Sequence, residues 1–389
     1  MKKICVITAT RAEYGLLAPI IRKLREYESA EFITELIVCG THLSDDYGMT
    51  VHEIEKDELR IDHLLYTPVD SFTARDISCN QATVLTEFAS LFHTEHYDGI
   101  IILGDRYEML AIAIAAGNAG IPIFHISGGD TTEGAIDEWI RHCITKISYL
   151  HFVTNEDSRK RVIQLGESPD RVFNYGSTSI DNIMHMPNIS KCDILKTMGL
   201  DECRYAVCTY HPVTLEDESP DKYIHSFIDA MAAFPYITFI ITKSNSDAGG
   251  ARINELLAQA TYKYKNLHLY DSLGACRYLS LLKYAEFVLG NSSSGVVEAP
   301  ALHIPTVNIG SRQRGRLSSE SVINCEPYSE DIIKAINTVE SNEHREICRR
   351  IISPYGDGHS AEKIAFKIFH IINNERIDLK KKFYDLQIL

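Results

Sequence analysis

No apolar run in this chain approaches the about 18 residues that a membrane-spanning helix requires; Ile100–Leu103 and Phe287–Leu289 are among the longest. No membrane partner is expected. Positive charge is also in deficit. The 39 Lys and Arg residues against 53 Asp and Glu leave a net charge of −14, which excludes a broad footprint for nucleic acid and makes any anion site local. The ten cysteines include no CxxC pair and no Cys/His run at zinc spacing, and Cys5, Cys39 and Cys208 sit in apolar segments. They read as reduced core residues of a cytoplasmic protein, and no metal is expected. The opening Met1-Lys2-Lys3-Ile4-Cys5-Val6-Ile7-Thr8 starts like a signal peptide, but its apolar stretch is short, runs into Arg11 and Glu13, and has no small-residue cleavage site. It reads as a first strand. GxGxxG and the P-loop pattern are absent, so neither a dinucleotide cofactor nor ATPase chemistry is indicated.

What the chain does contain is an ordinary globular composition, 45% hydrophobic and 24% charged over 389 residues, enough for two domains or three. Short β-branched runs alternate with amphipathic helical stretches, the pattern of βα units in parallel sheets. Strands are expected at Ile4–Thr8, Ile33–Cys39, Gly99–Leu103, Pro122–Ile126 and His151–Val153. After the polar, Pro-containing linker Met184–Cys192 the pattern restarts, at Tyr205–Thr209, Ile237–Thr242, Leu267–Tyr270, Phe287–Leu289 and Thr306–Ile309. The expectation is an α/β chain of two doubly wound domains, 1–185 and 193–358, facing each other. A helical segment at 359–389, with Ile364, Ile368, Ile371 and Ile372 at helical spacing, would pack back on the first domain.

In open α/β sheets, ligands bind beyond the carboxyl ends of the strands. That rule selects Gly290-Asn291-Ser292-Ser293-Ser294-Gly295, where small hydroxyl residues at a helix start would cradle a phosphate, an ordinary Ser N-cap being the alternative. Glu298, one turn on, could accept ribose hydroxyls or be a first-turn Glu favoured by the helix dipole. Arg312, Arg314 and Arg316 offer guanidinium groups suited to a diphosphate, or form a solvated basic loop. Arg11 follows the first strand and adds a second positive contributor. Asp105 and Asp130 rise from neighbouring strand ends as acid/base candidates, unless they pair or cap locally. The helix beginning at Ile136 is expected to bury Ile136, Ile140, Cys143 and Ile147, with Asp137 and Arg141 one turn apart on an adjoining face, as a surface ion pair or as catalytic equipment. His211, at the first strand end of the second half, is a proton donor or a loop residue.

With those residues in place, the chain resembles the hydrolysing UDP-N-acetylglucosamine 2-epimerases of sialic acid biosynthesis. The resemblance runs through Thr8–Tyr14, Leu103–Tyr107, Gly128–Asp130, Ile136-Asp137, Ile140–His142, His211–Thr214, Asp247–Gly249, Gly290–Gly295, Arg312-Gln313, Gly315-Arg316 and Tyr355–Gly358. It implies two Rossmann-like domains of the glycosyltransferase-B type, no cofactor, and a homodimer or homotetramer. The implied reaction converts UDP-N-acetylglucosamine and water to N-acetylmannosamine and UDP, by anti elimination of UDP to a 2-acetamidoglucal followed by hydration. On this resemblance Asp105 and Asp137 lead as acid/base residues and His211 assists. Ser292, Ser293 and Ser294 hold the diphosphate, Glu298 the ribose, and Arg11 with Arg316 the developing charge. Relatives commonly carry Glu at the position of Asp130, so that role falls either to Asp130 or to nearby Glu133. His142, Asn291, Gly295 and Arg312 complete the expected substrate-binding set. Some relatives act instead on UDP-N,N'-diacetylbacillosamine for legionaminic acid, and a non-catalytic UDP-sugar binding protein is a further alternative.

Overall fold

Residues 1–69, 73–132, 136–185, 187, 189–212, 220–244, 250–271 and 273–387 are described in a computed structural model, which divides into two compact units, 1–184 with 355–389 and 185–354. In the first unit, strands β1 (Lys2–Thr8), β2 (Phe32–Cys39), β3 (His63–Leu65), β4 (Gly99–Leu103), β5 (Ile123–Ile126), β6 (Leu150–Val153) and β7 (Val172–Asn174) form one parallel sheet in the order β3-β2-β1-β4-β5-β6-β7. Every residue of β4, Gly-Ile-Ile-Ile-Leu, is buried. Helices cover both faces of such a sheet, so its central strands are continuously apolar rather than alternating. The order reverses between β1 and β4, which places a switch point at the loops after Thr8 and Leu103.

The second unit repeats the plan with β8 (Tyr205–Thr209), β9 (Thr238–Thr242), β10 (Leu267–Tyr270), β11 (Val288–Gly290), β12 (Thr306–Ile309) and β13 (Val322–Cys325), all parallel in the order β10-β9-β8-β11-β12-β13. Its switch point lies between β8 and β11. The expected strands are present, and β3, β7 and β13 are additions. Each is a sheet edge of three or four residues with partly exposed side chains, so no apolar run announces it.

The end of the chain differs in detail from expectation. One helix, Ser360–Asn374, is followed by an irregular tail, and residues 355–358 belong to the first unit. Close backbone approach explains the crossing point. Ser177 N–H donates to Tyr355 O at 2.7 Å, and a Cβ on Gly176 would lie 2.6 Å from that same oxygen. The buried Asp181 carboxylate then accepts from Ser360 and Ala361 N–H at 3.1 and 2.7 Å, which satisfies orphan donors of the terminal helix. Ile364, Ile368, Ile371 and Ile372 are buried, and Phe369 stacks on Tyr27 at 4.6 Å. The tail is pinned rather than coiled. Lys381 Nζ donates to Lys146 O and Ser148 O and pairs with Glu167, and Tyr384 N–H donates to Gly166 O.

No helix among the described residues is long and apolar enough to cross a membrane.

Candidate active site

At the switch point of the first unit, Thr10 caps the helix Arg11–Glu26 in a reciprocal capping box. Its hydroxyl accepts from Glu13 N–H, while Glu13 Oε2 accepts from Ala9 and Thr10 N–H at 2.9 and 3.0 Å. Glu13 is 4% exposed. Burial pushes its carboxyl up to about 7, against the pull of the nearby Arg106 charge and of the two N–H groups. Arg106, on the loop after β4, is clamped by both oxygens of the buried Glu108, at 3.1 and 2.9 Å. Arg11 projects outward, 60% exposed, with Glu53 at 3.8 Å.

Asp105 leaves the end of β4 and accepts two N–H groups of Arg141, from Nε at 2.9 Å and from Nη2. Arg141 is buried on the helix Ile136–Ile147. Its Nη1 donates to Asp130 O at 2.6 Å and to Glu138 Oε2 at 2.9 Å, and Nη2 also donates to Thr132 Oγ1. This network turns the helix away from the expected apolar stripe. The buried face is Ile140, Arg141, Ile144 and Thr145, whereas Ile136 is 50% exposed and Cys143 is exposed. The stripe read from the sequence was thus displaced by about one residue, because a fully bonded guanidinium occupies the inner face.

Asp137, half-buried, is shifted upward by burial first and then by the Asp105 charge, with Arg106 and Arg141 opposing. For Glu138, burial acts upward, but Thr132 N–H, Arg141 and His142 outweigh it and hold the carboxyl below its ordinary range. His142 Nε2 lies 3.4 Å from Glu138 Oε1. Asp130 points to the turn after β6, where its Oδ1 accepts from Ser158 Oγ, from Thr154 Oγ1 at 3.1 Å and from Asn155 Nδ2 at 3.4 Å. Its main-chain oxygen, rather than its carboxylate, meets Arg141. Glu133 lies outside the described residues, as do the motif residues 213–214 and 247–249.

In the second unit, Asn291 is fully buried. Its side chain accepts from His211 N–H at 2.7 Å and donates to His211 O at 2.8 Å, while its own carbonyl accepts from Gln313 Nε2 at 2.8 Å and Arg312 Nη1 at 3.2 Å. Asn291 thus braces β8, β11 and the loop after β12 with the groups expected to meet a ligand. Gly290 makes this possible. Its φ is +140°, and a Cβ there would fall 1.9 Å from Thr209 O. Ser292 Oγ accepts from Ser294 N–H at 3.4 Å, and Ser293 is the N-cap of the helix Ser294–Ala301 without a side-chain capping bond. The buried Gly295 and the half-buried Glu298 lie within that helix. The positive end of the helix dipole therefore sits among three hydroxyls, an arrangement suited to phosphate. His211 Nδ1 is 3.2 Å from Ser244 Oγ. Arg316, with Arg314, lines a cavity of about 610 Å³ together with Asn308, Asn324, Asp331 and Lys334.

The sequence left Glu13, Glu138 and Gln313 without a role, although Thr10-x-x-Glu13 is a legible capping-box signal, and offered Arg106 only as a local partner of Asp105, whereas Arg106 pairs with Glu108 and Asp105 with Arg141. The model of the family described as UDP-N-acetylglucosamine 2-epimerase matches residues 23–368. The chain belongs to that epimerase family. A Campylobacter jejuni relative, GDP/UDP-N,N'-diacetylbacillosamine 2-epimerase (hydrolyzing), is 37% identical over 99% of both chains. The Escherichia coli polysialic acid biosynthesis protein P7 is 36% identical over 99% of this chain and 98% of its own. Among solved structures, the S. aureus MnaA-UDP co-structure superposes with a TM-score of 0.77 at 17% identity, covering 99% of this chain and 100% of its own. The epimerase fold, two parallel sheets with alternating helices of glycosyltransferase-B type, is therefore shared.

Proposed function

We propose that the chain is a hydrolysing UDP-sugar 2-epimerase that converts UDP-N-acetylglucosamine and water to N-acetylmannosamine and UDP. The observation that carries the reading is the Asp105–Asp137 pair at the carboxyl end of the first sheet, where the Asp105 charge adds to burial in pushing the Asp137 carboxyl upward. Removing the weakly acidic C2 proton needs a positioned carboxylate, and expelling UDP needs donors at the leaving diphosphate. In this reading the first unit supplies the acid/base groups. In the second unit, Ser292, Ser293 and Ser294 receive the diphosphate, Glu298 the ribose, and His211 serves as a proton donor or as a ligand of the diphosphate. Asn291 acts as a brace of that cradle, and Asp130 as an anchor of the loop after β5.

A second reading keeps the chemistry and changes the sugar to UDP-N,N'-diacetylbacillosamine. The 37% identity to the Campylobacter relative favours it. Incubation with each UDP-sugar in one kinetic assay separates them, the preferred sugar giving the higher kcat/KM with free UDP and the free 2-epimer as products. Accumulation of a UDP-linked 2-epimer without free UDP would overturn the hydrolytic reading for both sugars.

A further inference from the structure

We infer that Arg141 is a positioning residue that fixes Asp105 as the stationary anion of the site and leaves Asp137 as the carboxylate that takes the C2 proton. This rests on the epimerase reading and assigns what that reading leaves open, the division of labour between the two aspartates.

Arg141 ties together three pieces of chain. Its three nitrogens make five hydrogen bonds, to Asp105 at the end of β4, to Asp130 O and Thr132 Oγ1 after β5, and to Glu138 on its own helix. A guanidinium has five N–H groups, so this set engages its full inventory and leaves none to follow a ligand. The side chain is 3% exposed, in a site where charge-assisted bonds are strong and their geometry is fixed. The consequence for Asp105 is geometric. Both Arg141 contacts fall on Oδ2, so two N–H donors of one rigid group hold the Asp105 carboxylate in a single orientation.

Asp137 stands one helical turn before Arg141 and makes no hydrogen bond or ion pair among the described residues. The charged groups that bear on it are Asp105 and Glu108, which favour its protonated form, and Arg106 and Arg141, which favour the anion. Asp137, half-buried and with no such clamp among the described residues, is the carboxylate left to approach a substrate. In the elimination, Asp137 takes the C2 proton, the C2–H electron pair forms the C1–C2 double bond, and the C1–O bond breaks with its pair leaving on UDP.

Arg141→Lys tests this, because Lys keeps the charge but has one compact ammonium that cannot span the same partners. The expected result is a fall in kcat of about 100-fold, the scale of a small misplacement of a reacting group. KM and UDP affinity should stay within about threefold, because no role in holding UDP is assigned to Arg141. Arg141→Ala should regain part of its kcat on addition of methylguanidine. In Arg141→Met the acid limb of the kcat profile should move to higher pH, since a cation that favours ionised Asp137 is gone. Should these variants fold poorly, Glu138→Gln, which leaves Arg141 and Asp105 intact, should lower kcat with KM unchanged. An Arg141→Lys enzyme with wild-type kcat, or loss of kcat only in step with loss of UDP binding, overturns the inference. Absence of UDP release by the wild-type enzyme from either UDP-sugar overturns the parent reading instead.

Discussion

Replacing Asn291 with Ala should cost stability first and nucleotide affinity second, which distinguishes a brace from a ligand. The Asn291 side chain is fully buried and makes two hydrogen bonds, both to the backbone of His211, at 2.7 and 2.8 Å. Alanine removes both and leaves the His211 N–H and C=O without that partner. Each such loss costs about 1–3 kcal/mol, and water reaches the half-buried His211, so the sum is about 2–4 kcal/mol. For a unit of this size each kcal/mol moves Tm by about 2–4 °C, which predicts a drop of roughly 5–15 °C. Calorimetry without ligand measures it, and a UDP titration should show affinity weakened about tenfold or more as the loop from Gly290 to Ser293 loosens. Asn291→Asp keeps the acceptor for His211 N–H and loses the donor to His211 O, so it should fall between. An Asn291→Ala protein with unchanged Tm and abolished UDP binding would refute the reasoning, because Asn291 would then hold the ligand directly.

Gly290→Ala should lose UDP binding in titration calorimetry, since its Cβ would sit 1.9 Å from Thr209 O at a φ that L side chains rarely adopt. Glu167 should contribute to acid unfolding. Burial acts upward on it, but His151, Lys146 and Lys381 outweigh that and bring its carboxyl to about 2, below the unfolded range. Its stabilisation is therefore complete above the unfolded pKa and is lost as pH falls toward 2, and Glu167→Gln should flatten Tm against pH over that interval. His125 should stay neutral to about pH 4 in an NMR titration, because burial drives its imidazole down to about 3. From pH 6.5 downward the unfolded state binds a proton that the folded state refuses, so His125 subtracts stability on acidification.

The alternation of apolar strands and amphipathic helices was legible because a parallel sheet buried on both faces writes continuous runs such as Ile100-Ile101-Ile102. The edges were not. His63–Leu65 and Val172–Asn174 owe their strand state to a neighbour's backbone rather than to their own pattern. The places of Asp105 and Asp137, after β4 and in the first turn of the helix Ile136–Ile147, were legible because strand ends and helix starts are readable. The partner of Asp105 could not, because Arg141 lies 36 positions away and local spacing suggested Asp137 for it instead. Asn291 shows the same limit from the other side. Its place in a Gly-Asn-Ser-Ser-Ser-Gly loop suggests a ligand, while the backbone it clamps, that of His211, is 80 residues distant. A buried polar residue is recognised as structural only when its partners are known.

The measurement that bears most directly on the central claim is NMR analysis of the products formed from UDP-N-acetylglucosamine and UDP-N,N'-diacetylbacillosamine in D2O. Elimination at C2 followed by hydration predicts free UDP and a free 2-epimeric sugar carrying solvent deuterium at C2, with both products lost in Asp137→Asn. A released sugar that retains its original C2 hydrogen, or deuterium at C2 of a sugar still bound to UDP with no free nucleotide, would contradict the account.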